Sequence, residues 1–282
     1  MYIAIGLKIQ KKDMSKDSYK NIAKEIRRSI LLQHFLSKES HVSSALSCAD
    51  ILTVLYFGVL NISSQNPLDE NRDRFILSKG HAISALYAVL SEKGFFEKKL
   101  LETFCQNGSM LPGHSTKDSS PGVEVSTGGL GHGLPMGIGM ALAAKADQKK
   151  HRIIILMSDG ECNEGTTWES AMFAAHYKLD NVTVIIDYNG QQGLGKSKEI
   201  INNQPFAQKW KSFGWAVQEL NGHDYKKMEH RLKTTPFQKN KPSVLVAKTT
   251  KGKGVSFMED RVEWHYKNPN EEQYKAALAE LL

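Results

Sequence analysis

Two hydrophobic periodicities organise the middle of this chain. Ile153 to Met157 is an unbroken apolar run closed by Ser158-Asp159-Gly160, the pattern of a strand buried on both faces. Asn163 to Thr167 supplies turn and cap residues. Trp168, Ala171, Met172, Ala175 and Leu179 then recur at helical spacing on one face. Asp180-Asn181 ends that helix, and Val182 to Ile186 is a second buried strand closed by Asn189-Gly190. Strand, helix and strand in this order predict two parallel strands joined by a right-handed crossover.

The same periodicities extend outward. Ser18 to Leu36 reads as a helix with Ile22, Ile26, Ile30, Leu31 and His34 on its apolar face. Ser40-His41 interrupts it, and Ala45 to Leu60 resumes with Ala49, Leu52, Thr53 and Tyr56 on a face. Gln65 to Arg72 is a polar connector. Arg74 to Leu77 is a short strand that gives way, through Ser78-Lys79-Gly80-His81, to a helix over Ala82 to Glu92. Met110 to Gly133 is a long glycine-rich loop, and loops of this length are commonly functional. Leu134-Pro135 opens a helix to Ala146 whose Gly137, Gly139, Ala141, Ala143 and Ala144 invite close approach by this sheet or a neighbouring protomer. Further strands fall at Trp215 to Leu220 and Val244 to Lys248, and helices at Ala207 to Phe213 and Tyr225 to Lys233. Trp264 to Pro269 is a loop, and Asn270 with Gln273 forms a capping box for a last helix to Leu282. The expectation is one α/β domain over residues 1–282, with a helical segment to about 60 and a helix from about 270. Its single doubly wound, mainly parallel sheet carries helices on both faces.

Composition narrows the function classes. No apolar run approaches the ~20 residues of a membrane span. Tyr2 to Leu7 is too short for a signal-peptide core and is followed by Lys11, Lys12 and Lys16. Cys48, Cys105 and Cys162 have no paired spacing, which points to free thiols and a cytoplasmic setting. Lys and Arg number 37 against 30 acidic residues, a net +7. The positive charge is scattered over Lys8 to Arg28, Lys145 to Arg152 and Lys248 to Lys253, so it suits anionic metabolites rather than nucleic acid.

The chemistry sits where strands end. Asp159 leaves the carboxyl end of one strand and Asn189 that of the next. Neighbouring strands lie ~4.8 Å apart, so a carboxylate and an amide oxygen meet at the sheet edge where α/β proteins place ligands. Two hard oxygens and a loop carbonyl suit Mg²⁺ or Ca²⁺, with phosphate completing the shell. Taken singly, Asp-Gly and Asn-Gly are ordinary turn dipeptides. His81 lies at another strand-to-helix junction. A rival motif, Gly190 to Ser197, matches Gly-x4-Gly-Lys-Ser. A P-loop needs a helix starting at Lys-Ser, yet Pro205 leaves room for about two turns. The later strand runs into Ala247-Lys248-Thr249 instead of an aspartate. No convincing strand feeds Gly129 to Gly133, and dinucleotide-loop spacing is absent.

Asp159-Gly160, about thirty residues and then Asn189 resemble the metal and diphosphate motif of thiamine-diphosphate enzymes. Asp159 to Gly165 followed by Trp168-Glu169-Ser170-Ala171 resembles transketolases within that superfamily. Ser40-His41, Phe75 to Ala82, Leu111 to His114 and Pro121 to Gly133 find counterparts there in the same order. The resemblance covers the family's first, diphosphate-binding (PP-type) domain and stops where the pyrimidine-binding domain would begin. It implies Mg²⁺ held by the side chains of Asp159 and Asn189 and the backbone carbonyl of Gln191. Gly160, Gly131 and Glu164 would lie against the cofactor, and Glu164 and Glu169 at a dimer contact. His81 and His265 would meet the diphosphate or the reacting centre; His41 and His114 would hydrogen-bond a sugar donor. The implied activity is transfer of a two-carbon ketol unit from a ketose (phosphate) to an aldose (phosphate). The activating glutamate of the family's pyrimidine domain has no counterpart. The resemblance therefore implies a separately encoded partner in an α2β2 assembly, with no nucleic acid and no membrane. The rivals are the α subunit of a 2-oxo-acid dehydrogenase or decarboxylase, and a non-catalytic nucleotide- or sugar-phosphate-binding subunit. His114 after Pro112-Gly113 suits a hydroxylated donor better than pyruvate. Cys162 and a mid-helix His176 are structural, and His132 neighbours the cofactor loop. Ser158 stands where the family has glycine, Ser40 and Ser43 likewise, and Leu194 where aspartate is common.

Overall fold

In a computed structural model, which describes residues 14–282, five parallel strands form the central sheet; Tyr2 to Leu7, Lys11 and Lys12 lie outside the described residues. The strands are β1 (Arg74–Leu77), β2 (Ile153–Ser158), β3 (Val182–Tyr188), β6 (Ala216–Asn221) and β7 (Ser243–Lys248), in the order β1-β2-β3-β7-β6. A two-stranded ribbon, β4 (Gln191–Gln192) and β5 (Gly195–Lys196), follows β3. The helices are α1 (Lys16–Ser37), α2 (Val42–Val54), α3 (Ile83–Glu92), α4 (Gly133–Ala146), α5 (Gly165–His176), α6 (Ser197–Ile200), α7 (Phe206–Ser212), α8 (Tyr225–Lys233) and α9 (Glu271–Glu280).

The two-sided burial predicted from the apolar runs is what fixes the layers. Along β2, Ile154 and Leu156 face a core built with α1, α2 and α3. Ile153, Ile155 and Met157 face the opposite core under α4, α5 and α7, because successive strand residues point to opposite faces. β2 and β3 run parallel with Ser158 opposite Asp187, so the turns after both strands open on one edge. Gly137 serves the sheet: a Cβ there would come 2.5 Å from Ile155 Cδ1. Gly139 faces open space. The capping box at Asn270 and Gln273 is present.

Several elements differ from expectation. The run Val42–Val59 is, by length and composition, apolar enough to cross a membrane, yet 94% of it is buried inside the protein. It is α2 and a π-helical turn (Leu55–Val59), packed on all sides. A 3-10 turn at Val262–His265 overlaps the segment read as a loop from Trp264, and a second 3-10 stretch lies at Lys98–Thr103, between the segments read from the sequence. α5 ends at His176, an exposed last residue rather than a mid-helix one. Its buried face is Thr167, Ser170, Ala171 and Ala174, while Met172 and Phe173 are exposed. Of the face read from periodicity, Ala171 and Leu179 are buried and Trp168 and Ala175 pack against the same core, and Met172 alone points outward.

His34, on the buried face of α1, bonds to Ser84 Oγ at 2.8 Å through Nε2 and to the Glu39 carbonyl at 3.0 Å through Nδ1. A carbonyl only accepts, so Nδ1 carries the proton and Nε2 accepts from the serine. Burial pushes the imidazole pKa down to about 4. Its contribution to stability is thus whole above the unfolded pKa near 6.5 and is lost as pH falls to 4, about 3 kcal/mol in all. His34→Gln should flatten the acid loss of stability by up to about 1.4 kcal/mol per pH unit over that window. Urea midpoints measured at each pH test this; parallel slopes for the two proteins would refute it.

Candidate active site

The carboxyl edge of the sheet carries a cavity of about 340 Å³ lined by residues from several separate segments. His41 is there because it starts α2 in the left-handed conformation, φ +77°, an uncommon one for a residue with a side chain. His81 lies in the 3-10 turn after β1, where Gly80 is required: a Cβ would sit 2.6 Å from the Thr127 carbonyl oxygen. Thr127 Oγ1 in turn donates to the Leu77 carbonyl at 2.6 Å, which ties the long loop to the end of β1. That loop brings His114 and Gly128 to the wall. His265 arrives from the 3-10 turn near the C-terminus, and its carbonyl accepts from the His41 amide at 2.9 Å. The four imidazoles therefore converge: ring centroids of His41 lie 5.2, 5.9 and 5.0 Å from those of His81, His114 and His265.

Burial above all, and then neighbouring imidazoles and the charges of Lys79 and Lys251, keeps three of these rings neutral. It lowers His41 to about 4, His265 to about 3, and His81 well below its ordinary value. Neutral imidazoles can both donate and accept.

Asp159 and Asn189 follow paired strands and reach the same edge, as the register requires. Asp159 is 3% exposed, and its Oδ2 accepts from Ser197 Oγ at 2.7 Å. Its Oδ1 is buried without a partner, and burial raises its pKa to about 6. Asn189 Oδ1 accepts from the Gln191 amide at 3.1 Å and keeps a second lone pair. Among the described residues no group of three His, Cys, Asp or Glu side chains could hold a metal. An ion here would instead take carboxylate, amide and carbonyl oxygens, a hard set suited to Mg²⁺. An unpaired buried carboxylate oxygen is costly, and a cation would remove that cost. The residues fit the ion.

The other expected residues are placed unevenly. Gly160 and Gln191 line the cavity. Gly131 does not: its amide donates to Glu161 Oε1 at 2.9 Å, and a Cβ on it would come 2.6 Å from Glu164 Cβ. Glu164 and Glu169 are exposed, the latter beside a groove formed by Pro135, Ile138, Gly139, Leu142 and Phe173. His132 is exposed and bonds within its own loop, and Cys162 is buried. Ser158 belongs to β2 and has no positive φ, so a glycine is not demanded there. Ser43 does more than fill space, since its hydroxyl donates to the Trp264 carbonyl at 3.0 Å and steadies the His265 turn. The segment Gly190 to Ser197 folds as the β4–β5 ribbon and one turn of α6, with no phosphate-cradling helix after the lysine.

Sequence reasoning missed the charged floor. Lys79 and Asp187 are fully buried and pair at 2.5 Å. β3 was expected to end at Ile186 but continues through Asp187 to Tyr188. Lys251, grouped with scattered surface charge, is 1% exposed and lines the cavity. The available signal was an aspartate directly after a two-sided apolar run, in register with Ser158 of the neighbouring strand.

Fold and cavity together define a doubly wound α/β protein with a ligand site at the carboxyl edge of its sheet, lined by imidazoles, buried ammonium groups and hard oxygen and amide donors. A family model described as transketolase, thiamine diphosphate binding domain, matches residues 19–280. The chain belongs to the transketolase family and corresponds to that domain. It is 43% identical over 271 residues to one of the apulose-4-phosphate transketolase subunits of Actinobacillus succinogenes, covering 95% of this chain and 98% of that one. It is 41% identical over 241 residues to the 6-deoxy-6-sulfo-D-fructose transketolase subunit of a Clostridium species, covering 86% and 88%. The transketolase structure from Leishmania mexicana superposes with a TM-score of 0.87 at 30% identity, over 95% of this chain. This chain spans 41% of that longer one. The dehydrogenase and nucleotide-binding readings do not fit these matches.

Proposed function

We propose that the chain is one PP-type domain serving as the N-terminal subunit of a split transketolase. The complete enzyme moves a two-carbon ketol unit from a ketose, or ketose phosphate, to an aldose acceptor. The observation that carries this reading is the buried, unpaired Oδ1 of Asp159, at the sheet edge that also carries Asn189 and the cavity where four histidines converge. Asp159, Asn189 and the Gln191 carbonyl would hold Mg²⁺ against the diphosphate, with Gly160 letting the backbone approach. Thiamine diphosphate supplies the carbanion chemistry that cleaves the carbon–carbon bond. The protein's part is orientation and proton handling. His41 has Nδ1 next to Ser40 Oγ at 3.0 Å, which leaves Nε2 to meet a sugar hydroxyl or alkoxide. His114 closes the same side, and a neutral imidazole can take or return a proton there.

A second, separately encoded subunit would complete the site with the activating glutamate and assemble as α2β2. Two observations support it: the related subunits are of this chain's own size, and Met172 and Phe173 of α5 are exposed together with Tyr177 just after it. Contiguous exposed apolar side chains mark interaction surfaces. The three free thiols accord with a reducing cytoplasm. The two relatives act on different sugars by their names, so the donor here is to be identified by assay. The isolated chain is expected to show no ketol transfer and weak cofactor binding, with turnover appearing when the neighbouring gene's product is added. Full activity from the chain alone would overturn the split arrangement.

A further inference from the structure

Lys251 lies inside the cavity and has no part in the proposed function, on which the following rests. Its Nζ is 2.9 Å from His265 Nδ1, and the backbone fixes both partners. On the lysine side, the Thr250 amide donates to His223 Nε2 at 3.0 Å, and the Gly252 amide to the Ser43 carbonyl at 3.0 Å. His223 is itself held by Asp50, at 2.7 Å from Nδ1, and Asp50 pairs with Arg27. On the histidine side, Ser43 holds the Trp264 carbonyl and the His41 amide holds that of His265. The contact is therefore a product of the fold.

An ammonium has three donors and no acceptor. Nδ1 of His265 must accept, so the proton of its neutral ring is on Nε2. Among the described residues nothing is bonded to that Nε2, and the ring lines the cavity. We propose that Lys251 is a positioning residue that locks His265 in the Nε2–H form, so that His265 serves as a fixed hydrogen-bond donor to an oxygen of the bound reactants and not as a base. Donors of this kind, aimed where charge develops, contribute about 10²–10³ in rate.

The test uses the reconstituted pair with ¹⁵N-histidine in this chain, the His265 signals being identified by their loss in His265→Gln. The expected spectrum has an unprotonated Nδ1 and a protonated Nε2. Lys251→Met should mix the tautomers and lower kcat about 100-fold with little change in KM, while Lys251→Arg, which keeps the donor, should recover most of both. A wild-type His265 protonated on Nδ1, or wild-type turnover in Lys251→Met, would overturn the assignment. The wild-type spectrum and the arginine variant decide the matter even where the methionine variant folds poorly. Absence of ketol transfer in the wild-type pair would instead count against the proposed function and leave the spectroscopic result standing.

Discussion

Asp159→Asn in the reconstituted pair is expected to weaken thiamine diphosphate binding by more than about 100-fold at saturating Mg²⁺, since even outer-shell partners of metal ligands cost 10–100-fold. The cofactor-free chain should be no less stable than the wild type. The carboxylate is 3% exposed, with one oxygen unpaired and its charge opposed by burial. An amide at this position removes a buried charge and can still accept from Ser197 through its oxygen. Binding and stability should therefore move in opposite directions, as expected where a site is built for a ligand rather than for the empty fold. Isothermal titration with the cofactor and thermal unfolding of the free chain are the two readouts. Unchanged cofactor affinity would remove the basis of the metal assignment; a large loss of stability would mean that Asp159 is a structural residue.

The parts of this fold that could be foreseen are those set by local pattern. The apolar runs at Ile153 and Val182 are buried on both faces, and so are strands between two helical layers. Asp159 and Asn189 could be placed together because strand direction alone puts their turns on one edge. The charged floor was not foreseeable in the same way. Lys79 and Asp187 are 108 positions apart and Lys251 and His265 are 14 apart, and nothing in a lysine's letter says whether its ammonium is solvated. Met172 is misplaced on α5 for a related reason: it satisfies helical periodicity as well as buried Ala171 does, and only the sheet's position says where the inward face ends.

Neutral imidazoles and buried ammonium groups are one arrangement. The positive charges of Lys79 and Lys251 act on His41, His81 and His265 together with burial, so the cavity offers neutral hydrogen-bonding nitrogens beside two buried ammonium groups. Asp187, which does not line the cavity, balances Lys79.

Lys79→Ala is accordingly expected to cost about 3–5 kcal/mol of folding stability, the range for stranding one member of a buried ion pair. Asp187 is 0% exposed and takes hydrogen bonds from Ser47 Oγ at 2.5 Å and from Thr249 Oγ1. Burial works against its charge, and the Lys79 ammonium overrides that and holds the carboxyl below its ordinary range. The ammonium also donates to the Ser44 carbonyl at 2.9 Å. One pair thus joins the end of β1, α2, β3 and the loop after β7 directly beneath the cavity. Removing both charges differs from removing one. Lys79→Met with Asp187→Leu leaves no uncompensated ion and should be more stable than Lys79→Ala. Denaturant unfolding of both variants measures the difference. A single substitution costing under about 1 kcal/mol, or a double variant as unstable as the single one, would show that the pair is not what holds these four elements together.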